Sequence, residues 1–291
     1  MDDAQRAVNA AGVVLITGAS RGIGLALACL LSAFGVPLVL TARRADALQR
    51  VRERFLREGL ALEVQACDAA DDAGMREAFA RVRKLGALAG VVNNAGVLEP
   101  IGSLLDLDLA EFDRHLRTNV TGVLIGMREA LRTRSTGSSL RVVNVSSGAV
   151  NRAYRGWAAY CSSKASVNML TRVAAEENSD GSTSFVAVAP GIIETRMQRV
   201  IRSMGQERFP DAPMFVGFKD QGMLLHAVDA AVALAWLALE APLACSGAFL
   251  DARGPEVLEP VGVWTRRLGD AFEGNLERAR AVFDELEDVG A

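Results

Sequence analysis

The sequence predicts one α/β domain, a doubly wound parallel sheet of seven strands flanked by helices. Two observations predict it. Short runs rich in Val, Leu and Ile alternate with stretches of three-to-four-residue apolar spacing through the first two thirds of the chain. Strict alternation of that kind implies βαβ crossovers, hence a parallel sheet with helices on both faces. In addition, a glycine-rich turn, Thr17-Gly18-Ala19-Ser20-Arg21-Gly22-Ile23-Gly24, joins the first apolar run to the first helical pattern.

Val13–Thr17, Pro37–Thr41, Leu62–Ala66, Leu88–Val92, Leu140–Val145 and Ser184–Ala189 each have the length of a strand buried on both faces, and Gly247–Leu250 supplies a seventh. Helical spacing covers Gly22–Phe34, Asp46–Arg57, Asp72–Lys84, Ala110–Arg134 and Trp157–Glu177. The weakly periodic segment from Gly191 to Lys219 carries Pro210 and Pro213 and predicts a loop-helix lid, set at residues 191–223. No linker divides the chain. The expected organisation is an N-terminal extension at 1–11, the main domain at 12–254, and a C-terminal extension at 255–291 with one amphipathic helix at Asn275–Leu286.

Composition narrows the function classes. Half of the 291 residues are hydrophobic, enough for one large core, and a net charge of −3 gives no case for a nucleic-acid or anionic-membrane partner. The most apolar window, Leu224–Cys245, is interrupted by His226, Asp229 and Glu240, so it predicts a buried helix rather than a bilayer span. Met1–Ala11 begins with two Asp and lacks the basic-then-apolar pattern of a secretory signal. Cys29, Cys67, Cys161 and Cys245 form no CxxC pair, and only His115 and His226 provide imidazoles, so neither a disulfide framework nor a metal site is expected. A cytoplasmic location follows.

The glycines of the first turn let backbone amides approach a pyrophosphate, with the helix N-terminus adding N–H donors and partial positive charge. Any tight strand-helix junction also favours glycine, so the placement after the first strand is what gives the turn meaning. Gly18, Ser20, Gly22, Ile23 and Gly24 are the candidate phosphate cradle. A dinucleotide site selective for NAD carries a carboxylate at the end of the second strand. Here that strand runs Leu40-Thr41-Ala42-Arg43-Arg44. Arg43 and Arg21 can face a 2′-phosphate, whose geometry suits a guanidinium, and the expected coenzyme is NADPH.

Tyr160 and Lys164 stand at i and i+4 on one helix face. A neighbouring ammonium lowers a phenol's pKa, and such a phenol can pass a proton to a carbonyl oxygen as hydride arrives. Ser147 precedes Tyr160 by thirteen residues, at the end of the strand Leu140–Val145, where side chains point into the ligand crevice. Ser146 is its competitor for that place; the spacing favours Ser147.

Together, Thr17–Gly24, Asn93-Asn94-Ala95-Gly96, Asn119, Asn144-Val145-Ser146-Ser147, Tyr160/Lys164 and Pro190-Gly191 resemble the short-chain dehydrogenase/reductase family in order and spacing, over roughly residues 12 to 254. The resemblance implies a Rossmann fold and a catalytic tetrad of Asn119, Ser147, Tyr160 and Lys164. It implies that Asn119 bends its helix and holds a water in a proton relay, and that Lys164 also binds the nicotinamide ribose. By the same resemblance Asp68 meets the adenine, Asn94 lines the adenosine side, and Pro190, Gly191, Ile193 and Thr195 cup the nicotinamide and phosphates.

The stretches Arg155–Cys161 and Ala189–Gln198 are similar to sepiapterin reductases and benzil reductases. That closer resemblance implies a ketone or vicinal dicarbonyl substrate and places Asp251, in Ser246-Gly247-Ala248-Phe249-Leu250-Asp251, as an anchor for a pterin-like ring. Asp251 could equally face water, and Trp157 could be pocket wall or core. A homodimer or homotetramer is expected through the two long helices. Two other functions remain open from sequence: a non-catalytic NADPH-binding sensor, and an alcohol dehydrogenase running the reaction in reverse.

Overall fold

The computed structural model describes residues 12–288; the expectation for residues 1–11 lies outside them. Seven parallel strands form one sheet in the order β3-β2-β1-β4-β5-β6-β7. They are β1 (Val13–Thr17), β2 (Leu38–Ala42), β3 (Leu62–Ala66), β4 (Leu88–Asn93), β5 (Leu140–Val145), β6 (Thr183–Ala189) and β7 (Phe249–Asp251). Chain order reverses between β1 and β4. There Ile16 pairs with Leu40 on one side and Val92 on the other, and the carboxyl ends of both strands open onto a crevice.

Helices α1 (Gly22–Ala33), α2 (Ala45–Leu56) and α9 (Ala227–Leu239) bury their apolar sides in one core cluster, and α3 (Asp72–Leu85), α5 (Gly122–Thr133) and α6 (Ala158–Glu177) in a second. Between α3 and α5 runs α4 (Leu109–Leu116), started by Asp108, whose carboxylate accepts from the amides of Ala110 and Glu111. The segment expected as one helix at Ala110–Arg134 is interrupted. Arg117–Thr121 is a π-helical turn, one residue wider than an α-turn, and Asn119 sits inside it.

The segment expected as a lid holds α7 (Arg196–Ser203) and α8 (Ala212–Asp220). Its Phe209, Ala212 and Phe215 make a third apolar cluster with Trp157 and Tyr160. The backbone returns to its start through a bridge between Ile193 and Leu225.

The C-terminal region departs from expectation. It holds two helices, α10 (Pro255–Leu268) and α11 (Asp270–Asp288), separated at Gly269 by a left-handed φ of +58°. Pro255 lies in the first turn, where its missing N–H costs no helical bond. Pro260 does remove one, but Val257, Val261, Trp264 and Leu268 repeat at helical spacing and are all buried. Their burial outweighs the lost bond. Both helices join the main core instead of standing beside it: Phe34, at the C-terminal end of α1, lies 6.4 Å from Trp264 and 6.0 Å from Phe272, centroid to centroid. Burial of this extension explains why α1, Gly22–Ala33, is apolar all round; a helix exposed on one side would carry a polar face. Phe272→Ala is expected to destabilise the whole domain by roughly 3–5 kcal/mol through the cavity it leaves, measurable as a shift of the urea midpoint.

Candidate active site

A cavity of about 580 Å³ lies at the carboxyl ends of β1, β2, β4 and β5. Its floor is the turn from Thr17 to Ile23. Gly18 has φ +67°, and a Cβ there would come within 2.8 Å of the Ala95 Cα. At Gly24 a Cβ would fall 2.5 Å from both the Asn94 Nδ2 and the Gly18 carbonyl oxygen. Gly24 does not line the cavity; it lets α1 start close against β4. The Asn94 amide and the Ala95 amide both donate to the Thr17 hydroxyl at 3.0 Å, and Asn94 Nδ2 donates to the Thr17 carbonyl at 2.9 Å. Asn94 is therefore a strut under the turn as well as part of the wall.

Gly18, Ser20, Arg21, Gly22 and Ile23 line the cavity, as do Arg43 and Asp68. Arg43 forms no ion pair among the described residues, while Arg44 is engaged by Asp46 at 2.7 Å. Desolvation, then repulsion from Arg196 and Arg43, holds the Arg21 guanidinium below its ordinary value. Three cations pressed together in this way favour an anion between them. Helix α1 offers its amides to the same space, since Arg21 at its N-cap makes no side-chain cap and the first turn has no carboxylate. One of those amides, Gly22 N, donates at 3.1 Å to a carboxylate from far along the chain, Glu287.

At the opposite end stand Tyr160 and Lys164, in the first two turns of α6. Burial pushes the Tyr160 phenol above its ordinary value, and a hydrogen bond with Ser147 draws it part of the way back. The expected lowering by Lys164 is not seen in this arrangement. The Lys164 ammonium is buried, donates to the Val145 carbonyl at 2.8 Å, and lies 5.7 Å from the Tyr160 ring centroid. Burial brings its own pKa down to about 8, so it stays mostly charged at neutral pH and loses its charge just above it. Ser146 is committed elsewhere, donating to Asn168 Oδ1 at 2.6 Å. Ser147 accepts from the Ala149 amide at 3.1 Å and stands just outside the cavity lining, beside Tyr160.

Asn119 is wholly buried behind this pair. Its Oδ1 accepts from Val97 N at 2.8 Å and its Nδ2 donates to the Val97 carbonyl at 2.9 Å. A residue not anticipated from sequence completes the set. His115 Nδ1 lies 2.7 Å from the Glu99 carbonyl, which can only accept, so Nδ1 carries the proton. The Nε2 is then an acceptor, 2.9 Å from both Asn119 Nδ2 and Ser163 Oγ. Burial lowers the His115 pKa and keeps the ring neutral. The Asn119 side chain is thus fully used in fixing the π-turn against the β4–α4 loop.

The remaining expected residues divide. Pro190 and Thr195 line the cavity, and Thr195 caps α7 by accepting from Gln198 N at 3.3 Å. Gly191, with φ +99°, and Ile193, whose side chain is buried, do not. Trp157 is buried, stacked on Phe209 at 4.8 Å and edge-on to Tyr160 at 5.1 Å, so it supports the Tyr160 ring. Asp251 lies outside the cavity, and its carboxylate is occupied by Arg253, through the backbone amide at 2.9 Å and the guanidinium at 2.8 and 3.0 Å. That geometry removes it as an anchor for a ring. Arg196, Leu286 and Glu287 are cavity residues that sequence reasoning passed over. Arg196 stood next to the expected Thr195; nothing local marks the other two.

The short chain dehydrogenase family model matches residues 12–206. The chain belongs to the short-chain dehydrogenase/reductase family. It is an oxidoreductase of that family, whose members bind nicotinamide coenzymes. The sepiapterin reductase of Meriones unguiculatus is 35% identical over 209 residues, 67% of this chain and 79% of that protein. The benzil reductase ((S)-benzoin forming) of Bacillus cereus is 29% identical over 218 residues, 73% of this chain and 88% of that one. Among solved structures, a short-chain dehydrogenase/reductase from Saccharomyces cerevisiae superposes with a TM-score of 0.78 at 30% identity, covering 85% of this chain and 98% of that one. A Burkholderia cenocepacia short chain dehydrogenase in complex with NADP gives 0.69 at 28%, covering 83% and 96%. An NAD+-bound xylitol dehydrogenase gives 0.74 at 25%, covering 83% and 97%. The same fold therefore accepts either coenzyme, and the choice rests on local side chains.

No helix among the described residues is long and apolar enough to cross a membrane.

The buried ammonium has a consequence for stability. With a folded pKa of about 8 against an ordinary 10.5, Lys164 binds fewer protons folded than unfolded between those values. Stability then rises with pH across that window, and the burial penalty is fully felt below pH 8. Comparing wild type with Lys164→Met in urea at several pH values should show the wild type gaining on the variant from pH 7 to 10, by at most about 3 kcal/mol.

Proposed function

We propose that the protein is an NADPH-dependent carbonyl reductase that converts a ketone or vicinal dicarbonyl, of the kind that sepiapterin or benzil presents, into the alcohol. The observation that carries the reading is the meeting of Tyr160 with Ser147 at one end of a cavity whose other end is a phosphate-type cradle. The residues present fit a dinucleotide: the glycine turn packs with no Cβ at Gly18 or Gly24, which keeps its backbone low under the cavity, and Arg21, Arg43 and Arg196 need an anion to relieve their repulsion. When bound, the coenzyme supplies hydride to the carbonyl carbon.

The chain's own residues do the rest. Ser147 holds the substrate oxygen, and Tyr160 releases its phenolic proton to that oxygen as negative charge builds there. Lys164 stabilises the phenolate left behind and is positioned to hold the nicotinamide ribose, while Asn119 fixes the segment through which a water can reach Lys164. Asp68 and Asn94 face the adenosine, and Pro190 and Thr195 the nicotinamide side, with Gly191 and Ile193 shaping that segment from outside the cavity. Leu124 on α5 with Met169 and Val173 on α6 are exposed apolar residues on the two helices expected to meet in a homodimer or homotetramer.

Tyr160→Phe should keep NADPH binding, followed by coenzyme fluorescence, and lose about 10²- to 10⁴-fold in kcat. Wild-type turnover by that variant would end the proposed role of Tyr160. A panel of sepiapterin, benzil, simple diketones and quinones, read by NADPH absorbance, tests the substrate class; tight coenzyme binding without turnover on any of them would favour a sensor. For the coenzyme, Arg43→Asp should lower kcat/KM with NADPH about tenfold or more relative to NADH, because a carboxylate repels a 2′-phosphate. An unchanged ratio would place Arg43 outside the site.

A further inference from the structure

The amide at the start of α1 is already in use. Gly22 N donates to Glu287 Oε2 at 3.1 Å across 265 residues of sequence. That amide belongs to the helix N-terminus that holds phosphate in folds of this type. A carboxylate resembles a phosphate in charge and in acceptor oxygens. Glu287 also lies within the field of Arg21, where its attraction opposes the repulsion from Arg196, Arg43 and Arg44. It stands at the rim of the cavity together with Leu286.

We propose that the last turn of α11 is a built-in competitor for the coenzyme, with Glu287 occupying a phosphate position that NADPH must clear in order to bind. This rests on the assignment of the cavity to a dinucleotide. What holds the competitor in place is the rest of α11. Phe272, Leu276, Ala279, Val282 and Phe283 are buried in the core shared with α1 and α9. Ion pairs tie the helix down on three elements: Arg54 with Glu285 at 2.8 Å, Glu58 with Arg278 at 2.7 Å, and Asp229 with Arg280 at 2.5 Å. These contacts end at Glu285. Among the described residues beyond it Leu286, half-buried, alone packs on the core, so the terminal turn can release Glu287 and leave the anchored part undisturbed. Helix ends open at low free-energy cost relative to the core.

The competition is read by direct binding, without turnover. NADPH and inorganic pyrophosphate are titrated against wild type, Glu287→Gln and a chain ending at Glu285, by tryptophan fluorescence or calorimetry. Both variants should bind NADPH about tenfold more tightly, with pyrophosphate improved in the same direction. Hydrogen exchange on the unaltered wild type supplies an independent arm: NADPH should protect the 18–24 segment while accelerating exchange in 285–288. Equal affinities in all three proteins, weaker binding by Glu287→Gln, or unchanged exchange at 285–288 would each overturn the competitor role. If none of the three proteins binds NADPH, NADH or pyrophosphate, the assignment of the cavity to a dinucleotide itself fails.

Discussion

The site depends on a clasp between two strands. At the point where β1 and β4 lie side by side and the chain leaves them in opposite directions, Asn94 donates two hydrogen bonds to Thr17, and the Thr17 hydroxyl takes a further one from Ala95. Without these bonds the polar groups at two buried strand ends would be unsatisfied, at a cost of about 1–3 kcal/mol each. The clasp sets the height of the glycine turn above β4, and the missing Cβ atoms at Gly18 and Gly24 allow that height to be small. The opening of α1, the position of its free amides and the depth of the cavity all follow from it.

A second network, separate from the clasp, holds the reactive end. His115, Ser163 and Asn119 satisfy one another and the Val97 backbone within a buried space. Lys164 reaches into the same region and finds the Val145 carbonyl. A lysine held like this has lost its water and gained one strong acceptor, which is why its affinity for a proton falls. Above about pH 8 its influence on Tyr160 then depends on whether something else keeps it charged. An anionic phenolate, or the hydroxyls of a bound ribose, would do so; the protein alone leaves the balance on the neutral side for the phenol. Tuning of Tyr160 is thus a property of the loaded site, whereas the sequence argument placed it in the Tyr–Lys spacing by itself.

Much of the fold was legible because a strand buried on both faces has a simple signature. Runs such as Val13–Thr17 and Leu88–Val92 carry little else but apolar residues, and their alternation with helical spacing implies a parallel sheet. The phosphate turn and the Tyr160–Lys164 pair were equally legible, since each is contained in a few consecutive residues. Three features were not. The π-turn around Asn119 adds one residue without disturbing apolar spacing, so Ala110–Arg134 looked continuous. Helix α10 was hidden by Pro255, Pro260 and Gly262, which are helix breakers unless one sits in the first turn and the others are outweighed by a buried face. Asp251 was placed by its position next to the last strand, but the neighbour that claims it, Arg253, is only two residues away and changes its availability entirely. One clue was present and unused: α1 has no polar face, so something later in the chain had to cover it.

That covering helix links stability to the coenzyme site. Helix α11 contributes five buried apolar side chains to the core and then ends on an amide of the phosphate turn. The two roles are separable because the ion pairs with Arg54, Glu58 and Asp229 lie upstream of the last turn. A helix anchored only at its tip would have to undock completely to admit a ligand, and the loss of core burial would make that prohibitive. Anchoring it before the tip confines the change to residues whose order is worth little. Competition between an intramolecular carboxylate and an external phosphate is reciprocal by linkage: whatever tightens the terminal turn weakens the coenzyme, and a bound coenzyme loosens the turn. The strength of the effect is set by how firmly Leu286 holds to the core, since among the described residues Leu286 alone makes an apolar contact between the anchored part of the helix and Glu287.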